Sequence, residues 1–143
     1  MAIDHANIGL ALPPFQVKIE RERLQLFAKA IGETGPDLTG NIAPPTFLKA
    51  IEGEHNSSRV ILEALKVDLK RVLHAEQQFD YVEPVRAGDT ITVERRVLDI
   101  YDKKDGALEF IVIESVLSNA RRAVIGRSRQ IVMVRNTVRK GEE

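Results

Sequence analysis

The spacing of apolar residues changes character once along the chain, from helical before residue 70 to strand-like after it. Leu24, Phe27, Ala28 and Ile31 fall at i, i+3, i+4 and i+7, which puts them on one face of a helix. Glu20 and Glu22 stand at its start, where the helix dipole favours a carboxylate, and Gly32, Gly35 and Pro36 end it. The pattern predicts a helix over residues 21–31. A loop rich in Gly, Pro, Asp, Thr and Asn follows over 33–43. Pro44 and Pro45 lead into a short helical start over 46–51, because proline lacks only an N–H that a first turn leaves free. Gly53 and the polar run 54–58 interrupt it. Ser57 or Ser58 then caps a second helical piece with Ile61, Leu62 and Leu65 as its apolar stripe.

Beyond Lys70 the period is two. Leu73, Ala75, Gln77, Phe79 and Tyr81 are expected on one face of a strand, and His74, Glu76, Gln78 and Asp80 on the other. Pro84 and the run 86–89 turn the chain into a second strand over 90–101. Its inward face swaps between Ile91/Val93 and Leu98/Ile100, so a bulge is expected near Arg95-Arg96. Lys103-Lys104-Asp105-Gly106 is a hairpin signal, since Asp-Gly suits the positive φ of a tight turn. Residues 108–117 are apolar on both faces and predict a central strand covered on both sides. A turn at 119–122 precedes a last strand over 123–134. Helices followed by long antiparallel strands give an α+β fold, a sheet of about four strands with the helical segment across it. The doubly apolar strand asks for a second cover, most simply another copy of the sheet. A single domain over 1–143 is expected, with its core at about 15–135 and a charged, mobile tail at 136–143.

Composition narrows the function. The chain has 143 residues, 21 Lys plus Arg against 21 Asp plus Glu, and no formal net charge. A nucleic-acid partner would ask for a basic excess, so none is expected. The absence of Cys removes disulfides, thiolate ligands and a thiol nucleophile. The three histidines, His5, His55 and His74, lack metal-ligand spacing, so no metal or other cofactor is expected. No apolar run approaches the roughly 20 residues of a membrane span, and the first residues do not read as a signal peptide. The cytoplasm is the expected location.

Three stretches then carry a resemblance: Phe27-Ala28-Lys29-Ala30-Ile31-Gly32-Glu33-Thr34-Gly35-Pro36-Asp37-Leu38, Ala43-Pro44-Pro45-Thr46-Phe47, and Arg71-Val72-Leu73-His74-Ala75-Glu76-Gln77. With Pro84-Val85-Arg86-Ala87-Gly88-Asp89 and the 101–106 turn, the chain resembles the MaoC-like dehydratases, and more narrowly their N-terminal, FAS1-type half, over about 15–135. The resemblance implies a hot-dog fold, in which an antiparallel sheet wraps a long central helix and a second copy completes a double hot dog. It also implies (R)-specific enoyl-thioester hydratase or 3-hydroxyacyl-thioester dehydratase chemistry. The family's motif runs Gly-Asp-x-Asn-Pro-aliphatic-His. Its Asp and His activate water or, in reverse, remove a proton and protonate the leaving hydroxyl. A backbone N–H at the start of the central helix polarises the thioester carbonyl.

Carried onto this sequence, the motif keeps its frame and loses its chemistry. Gly32 and Pro36 match, but Glu33 replaces the Asp, Gly35 the Asn and Leu38 the His. A leucine transfers no proton. The resemblance therefore implies a half that completes a dimer and shapes the acyl tunnel, with the catalytic pair on another hot-dog chain. Its ligand would be an acyl-CoA or acyl-carrier-protein thioester.

Rival readings rest on particular residues. A self-sufficient homodimeric hydratase or thioesterase would use Glu33, or His74 with Glu76, as its acid and base. We read Glu33 instead as a loop carboxylate and His74/Glu76 as a polar strand face. Asn41, Gln77 and the start of the helix at Pro45 and Thr46, with the N–H groups of Thr46 and Phe47, are the candidate substrate contacts. A non-enzymatic acyl-thioester binder is the third reading. The basic doublets Arg95-Arg96, Lys103-Lys104 and Arg121-Arg122 are read mostly as solvated charge, and Phe47, Phe79 and Phe110 as core.

Overall fold

In-phase β-branched and aromatic residues build the sheet, and its register fixes which of them face the helices. A computed structural model describes residues 2–33 and 41–136. Its five strands are β1 (Phe15–Lys18), β2 (Val72–Tyr81), β3 (Thr90–Lys103), β4 (Leu108–Ser118) and β5 (Val124–Arg135). They form one sheet in the order β1-β3-β4-β5-β2, antiparallel at every pairing. The doubly apolar segment is therefore the centre of the sheet, as its pattern predicts. The short β1 adds an edge strand that the periodicity does not announce. Lys104, Asp105 and Gly106 all take positive φ in the β3–β4 hairpin, at the place the Asp-Gly signal predicts.

The helices are α1 (Arg21–Ala30), α2 (Phe47–Glu52) and α3 (Ser57–Ala64). Between α2 and α3 a 3-10 turn, Glu54–Asn56, places His55 and Asn56 at φ 58 and 53. The central helical layer is thus broken, at the polar run that interrupts the apolar stripe in the sequence. Leu24, Phe47, Leu48 and Ile51 pack with Ile91, Val93, Leu117 and Ile125 in one apolar cluster. Ile61, Leu62 and Leu65 form a second cluster with Val97, Ile100, Ile111, Ile113 and Val132. Ile3 closes that second cluster from the N-terminal segment, and its N–H donates to Glu109 at 2.8 Å.

Two details of register differ from the alternation read in the sequence. The bulge of β3 lies between Val97 and Asp99, not at Arg95-Arg96, so Arg95 stays in phase with Ile91, Val93 and Val97 and is buried. A second bulge, between His74 and Glu76, changes the phase of β2 halfway along. Leu73 is therefore 53% exposed rather than inward. On the sheet's outer face Leu73, Met133, Phe110 and Tyr101 stand opposite one another in a row across four strands. The Tyr101 and Phe110 rings stack at 4.9 Å. Phe110 is thus a half-buried residue of the outer face, not part of the core, whereas Phe47 is buried and Phe79 packs against the first cluster.

Candidate functional site

Where β2 ends, the chain folds back over the start of α2 and leaves an apolar cleft of about 280 Å³. Ala43, Pro44, Pro45 and Leu48 line one side, and Tyr81, Val82, Pro84 and Val85 the other. The Tyr81 hydroxyl donates to the Pro45 carbonyl at 3.0 Å and ties the two walls together. Loss of water around that phenol raises its pKa above the ordinary tyrosine value. The Phe47 N–H, expected free at the helix start, donates to the Pro44 carbonyl at 2.9 Å. A thioester oxygen placed there would have to compete with that turn.

Deeper in, a polar belt separates the two apolar clusters. Arg95, Ser115 and Ser128 stand in one cross-strand row on the helix-facing side of β3, β4 and β5, with Gln130 and Gln77 paired in the next. The Arg95 guanidinium is 1% exposed. It donates to Ser115 Oγ at 2.9 Å, to Ser57 and Ser58 Oγ at 2.8 Å each, to Gln130 Oε1 at 3.0 Å and to the Glu52 carbonyl at 3.3 Å. Burial lowers its pKa, and the negative charge of Glu52 offsets part of that shift. Glu52 is fully buried, and one of its carboxylate oxygens accepts from Ser128 Oγ. The other, Oε1, lies 3.4 Å from Lys49 Nζ, within ion-pair range, yet has no aligned hydrogen bond. Gln77 donates to the same Ser128 Oγ at 3.2 Å, while its own Oε1 is buried without a partner.

The residues singled out in the sequence fall in separate places. Pro45 is in the cleft wall and Thr46 beside it, both exposed. Asn41 is exposed, and its carbonyl accepts from the Ala87 N–H at 3.0 Å, next to an isolated bridge between Ile42 and Arg86. Gln77 belongs to the belt. Glu33 is exposed, and its N–H donates to Ala28 at the end of α1. His74 and Glu76, expected on one face, are divided by the β2 bulge: His74 stands opposite Val132 and Glu76 opposite Ile131, on opposite faces of the sheet. The His74 ring meets only the Glu76 backbone carbonyl, at 3.1 Å. Leu38, Gly35 and Pro36 lie outside the described residues, as does the tail from 137 onward.

The belt is what the sequence reading missed. The doublet pattern assigns Arg95 to solvated charge, and only Arg96 behaves so, exposed and paired with Glu114 at 3.0 Å. A signal was nevertheless present. Arg95, Ser115, Ser128 and Gln130 each sit in phase with the inward apolar residues of their own strand, and Glu52 follows Leu48 by one helical turn. Polar residues in core phase on three neighbouring strands mark a buried polar row.

Comparison with known proteins bears on the same architecture. The profile of the family described as FAS1-like, dehydratase domain region matches residues 6–127. The chain belongs to that family. A UPF0336 protein of Streptomyces griseus is 37% identical over 105 residues, covering 65% of this chain and 70% of that protein. Among solved structures, this FAS1-like dehydratase region is similar to a chain of the HadBC (3R-hydroxyacyl-ACP dehydratase) complex of Mycobacterium tuberculosis. That match has a TM-score of 0.71 at 20% identity over 89% of this chain and 96% of the other. It is also similar to a chain of the ChsH1-ChsH2 complex of the same organism, with a TM-score of 0.70 at 12% identity over 92% and 88%. At such identities the likeness establishes the hot-dog fold of this family member. Among its described residues, no helix is long and apolar enough to cross a membrane.

Proposed function

We propose that this chain is the non-catalytic half of an (R)-specific enoyl-thioester hydratase or 3-hydroxyacyl-thioester dehydratase, working beside a hot-dog chain that carries the catalytic Asp and His. The carrying observation is a cleft of the right kind without proton-transfer groups of the right kind. It is apolar and open at the start of the central helical layer. The only titratable side chains among the residues that line it are Tyr81 and Glu83. Leu38 occupies the sequence position at which the family's motif has its His. The Tyr81 hydroxyl is committed to the Pro45 carbonyl, Glu83 stands exposed, and no imidazole lines the cleft, so the paired acid and base that hydration of an enoyl group asks for would come from elsewhere.

The free edge of β2 supports the pairing. β2 is the last strand of the sheet, and Leu73, Tyr81 and Val82, on it or just beyond it, are more than half exposed. An edge with such residues is a template for a second chain. The HadBC and ChsH1-ChsH2 complexes each contain a chain of similar fold. The ligand would be an acyl-CoA or acyl-carrier-protein thioester with its acyl group in the cleft. The test follows loss of enone absorbance from crotonyl-CoA with the purified chain alone and mixed with the hydratase-like subunit encoded nearest to it. Activity only in the mixture is the expected result. Turnover by the chain alone would overturn the reading and turn attention to Glu33 and His74.

A further inference from the structure

Both walls that lead inward from the cleft change from apolar to polar at one depth. Along α2, Leu48 lines the cleft, and one turn further on that side the apolar Ile51 is joined by the buried Glu52. Side chains so spaced are about 5–6 Å apart. Along β2, Tyr81 lines the cleft, Phe79 packs against the first apolar cluster, and Gln77 follows. Each such step along a strand advances about 6.7 Å. The two walls meet at Ser128, whose hydroxyl donates to Glu52 and accepts from Gln77 at 3.2 Å. Behind this bar stand Lys49, Gln130 and the buried guanidinium of Arg95. On the far side of the belt the second apolar cluster begins.

We propose that the Glu52–Ser128–Gln77 bar is the end wall of the acyl compartment in this half, and that it restricts the thioester to a short acyl chain. The proposal rests on the function proposed above. An alkyl chain advancing between helix and sheet would have to pass a buried carboxylate and strip it of the Ser128 hydroxyl. Displacing the partners of a buried charge is far more costly than the burial of a few methylenes is favourable. The bar also has two acceptor oxygens, Glu52 Oε1 and Gln77 Oε1, buried without hydrogen bonds. An alkyl terminus offers neither of them a donor, so contact with it relieves nothing.

The test measures kcat/KM for crotonyl-, octenoyl- and dodecenoyl-CoA with the chain mixed with the hydratase-like subunit encoded nearest to it. We expect the value to fall by about tenfold or more from crotonyl to dodecenoyl, as the entry of alkyl groups against a buried charge implies. Gln77→Leu extends the apolar wall at a residue that is only half-buried. It should raise the dodecenoyl-to-crotonyl ratio several-fold. A purely structural role for Gln77 would lower all three values together and leave the ratio unmoved, which would overturn the proposal. So would a ratio that is flat or rises with chain length in the parent chain, although turnover itself would leave the function intact. No turnover with any thioester would instead strike at the function. The bar would then be judged by calorimetric binding of the same three thioesters to the chain alone. Binding that weakens with length supports it, and equal, tighter or absent binding overturns it.

Discussion

At the scale of a residue, Arg95 holds more of the structure together than any other polar side chain described here. Its planar fork reaches α2, α3 and two neighbouring strands at once, which a lysine's single ammonium cannot do. Arg95→Ala would leave Ser57 short of a donor, Gln130 with only the 3.5 Å contact to Lys49, and the buried Glu52 with Lys49 alone where it now has two nearby cations. The expected loss is about 3–5 kcal/mol, the usual cost of breaking one side of a buried charge network, read from urea denaturation midpoints. Arg95→Lys should recover only part of it. The residue was open to misreading because a doublet of arginines is surface charge in most contexts. Only the register of β3 tells the two apart, and that register depends on where the bulge falls.

At the scale of an element, what could be read from the sequence followed the strength of the period. α1 and the strands β3, β4 and β5 carry long in-phase apolar series, and their positions follow from them. β1 is four residues long and gives no series to read. β2 shows a regular alternation in sequence, yet its bulge moves Leu73 outward and parts His74 from Glu76. Alternation along one strand says nothing about an extra residue that the partner strand does not match. The break between α2 and α3 was legible as polar interruption but not as geometry. Asn56 there sits at φ 53 and precedes α3. Asn56→Val should cost about 1–2 kcal/mol, the penalty for a Cβ-bearing residue without local hydrogen bonding in the left-handed region. Asn56→Gly should cost far less, and denaturant midpoints of the two variants make the comparison.

At the scale of the whole molecule, the exposed ends of β2 bear on the proposed pairing with a second chain. Leu73 and Val82 are 53% and 62% exposed near the two ends of that edge strand. In sedimentation the chain, alone or with the proposed catalytic partner, should run as a dimer. The double variant Leu73→Lys/Val82→Lys should shift it toward the monomer, because lysines on an edge discourage pairing. Unchanged sedimentation would place the contact elsewhere. The cleft was foreshadowed in the sequence only through Pro45 and Thr46, since its other wall comes from residues 81–85, far along the chain. The belt has one more consequence, for how the halves of the chain find each other. Apolar clusters attract without direction, and on their own would let the helices rest on the sheet in several neighbouring positions. Arg95 meets its acceptors only when the end of α2 and the start of α3 lie directly over Ser115 and Gln130. Slide the helices by a turn and a guanidinium is entombed with nothing to bind. The belt is therefore an alignment pin, which gives the helical layer a single seat on the sheet.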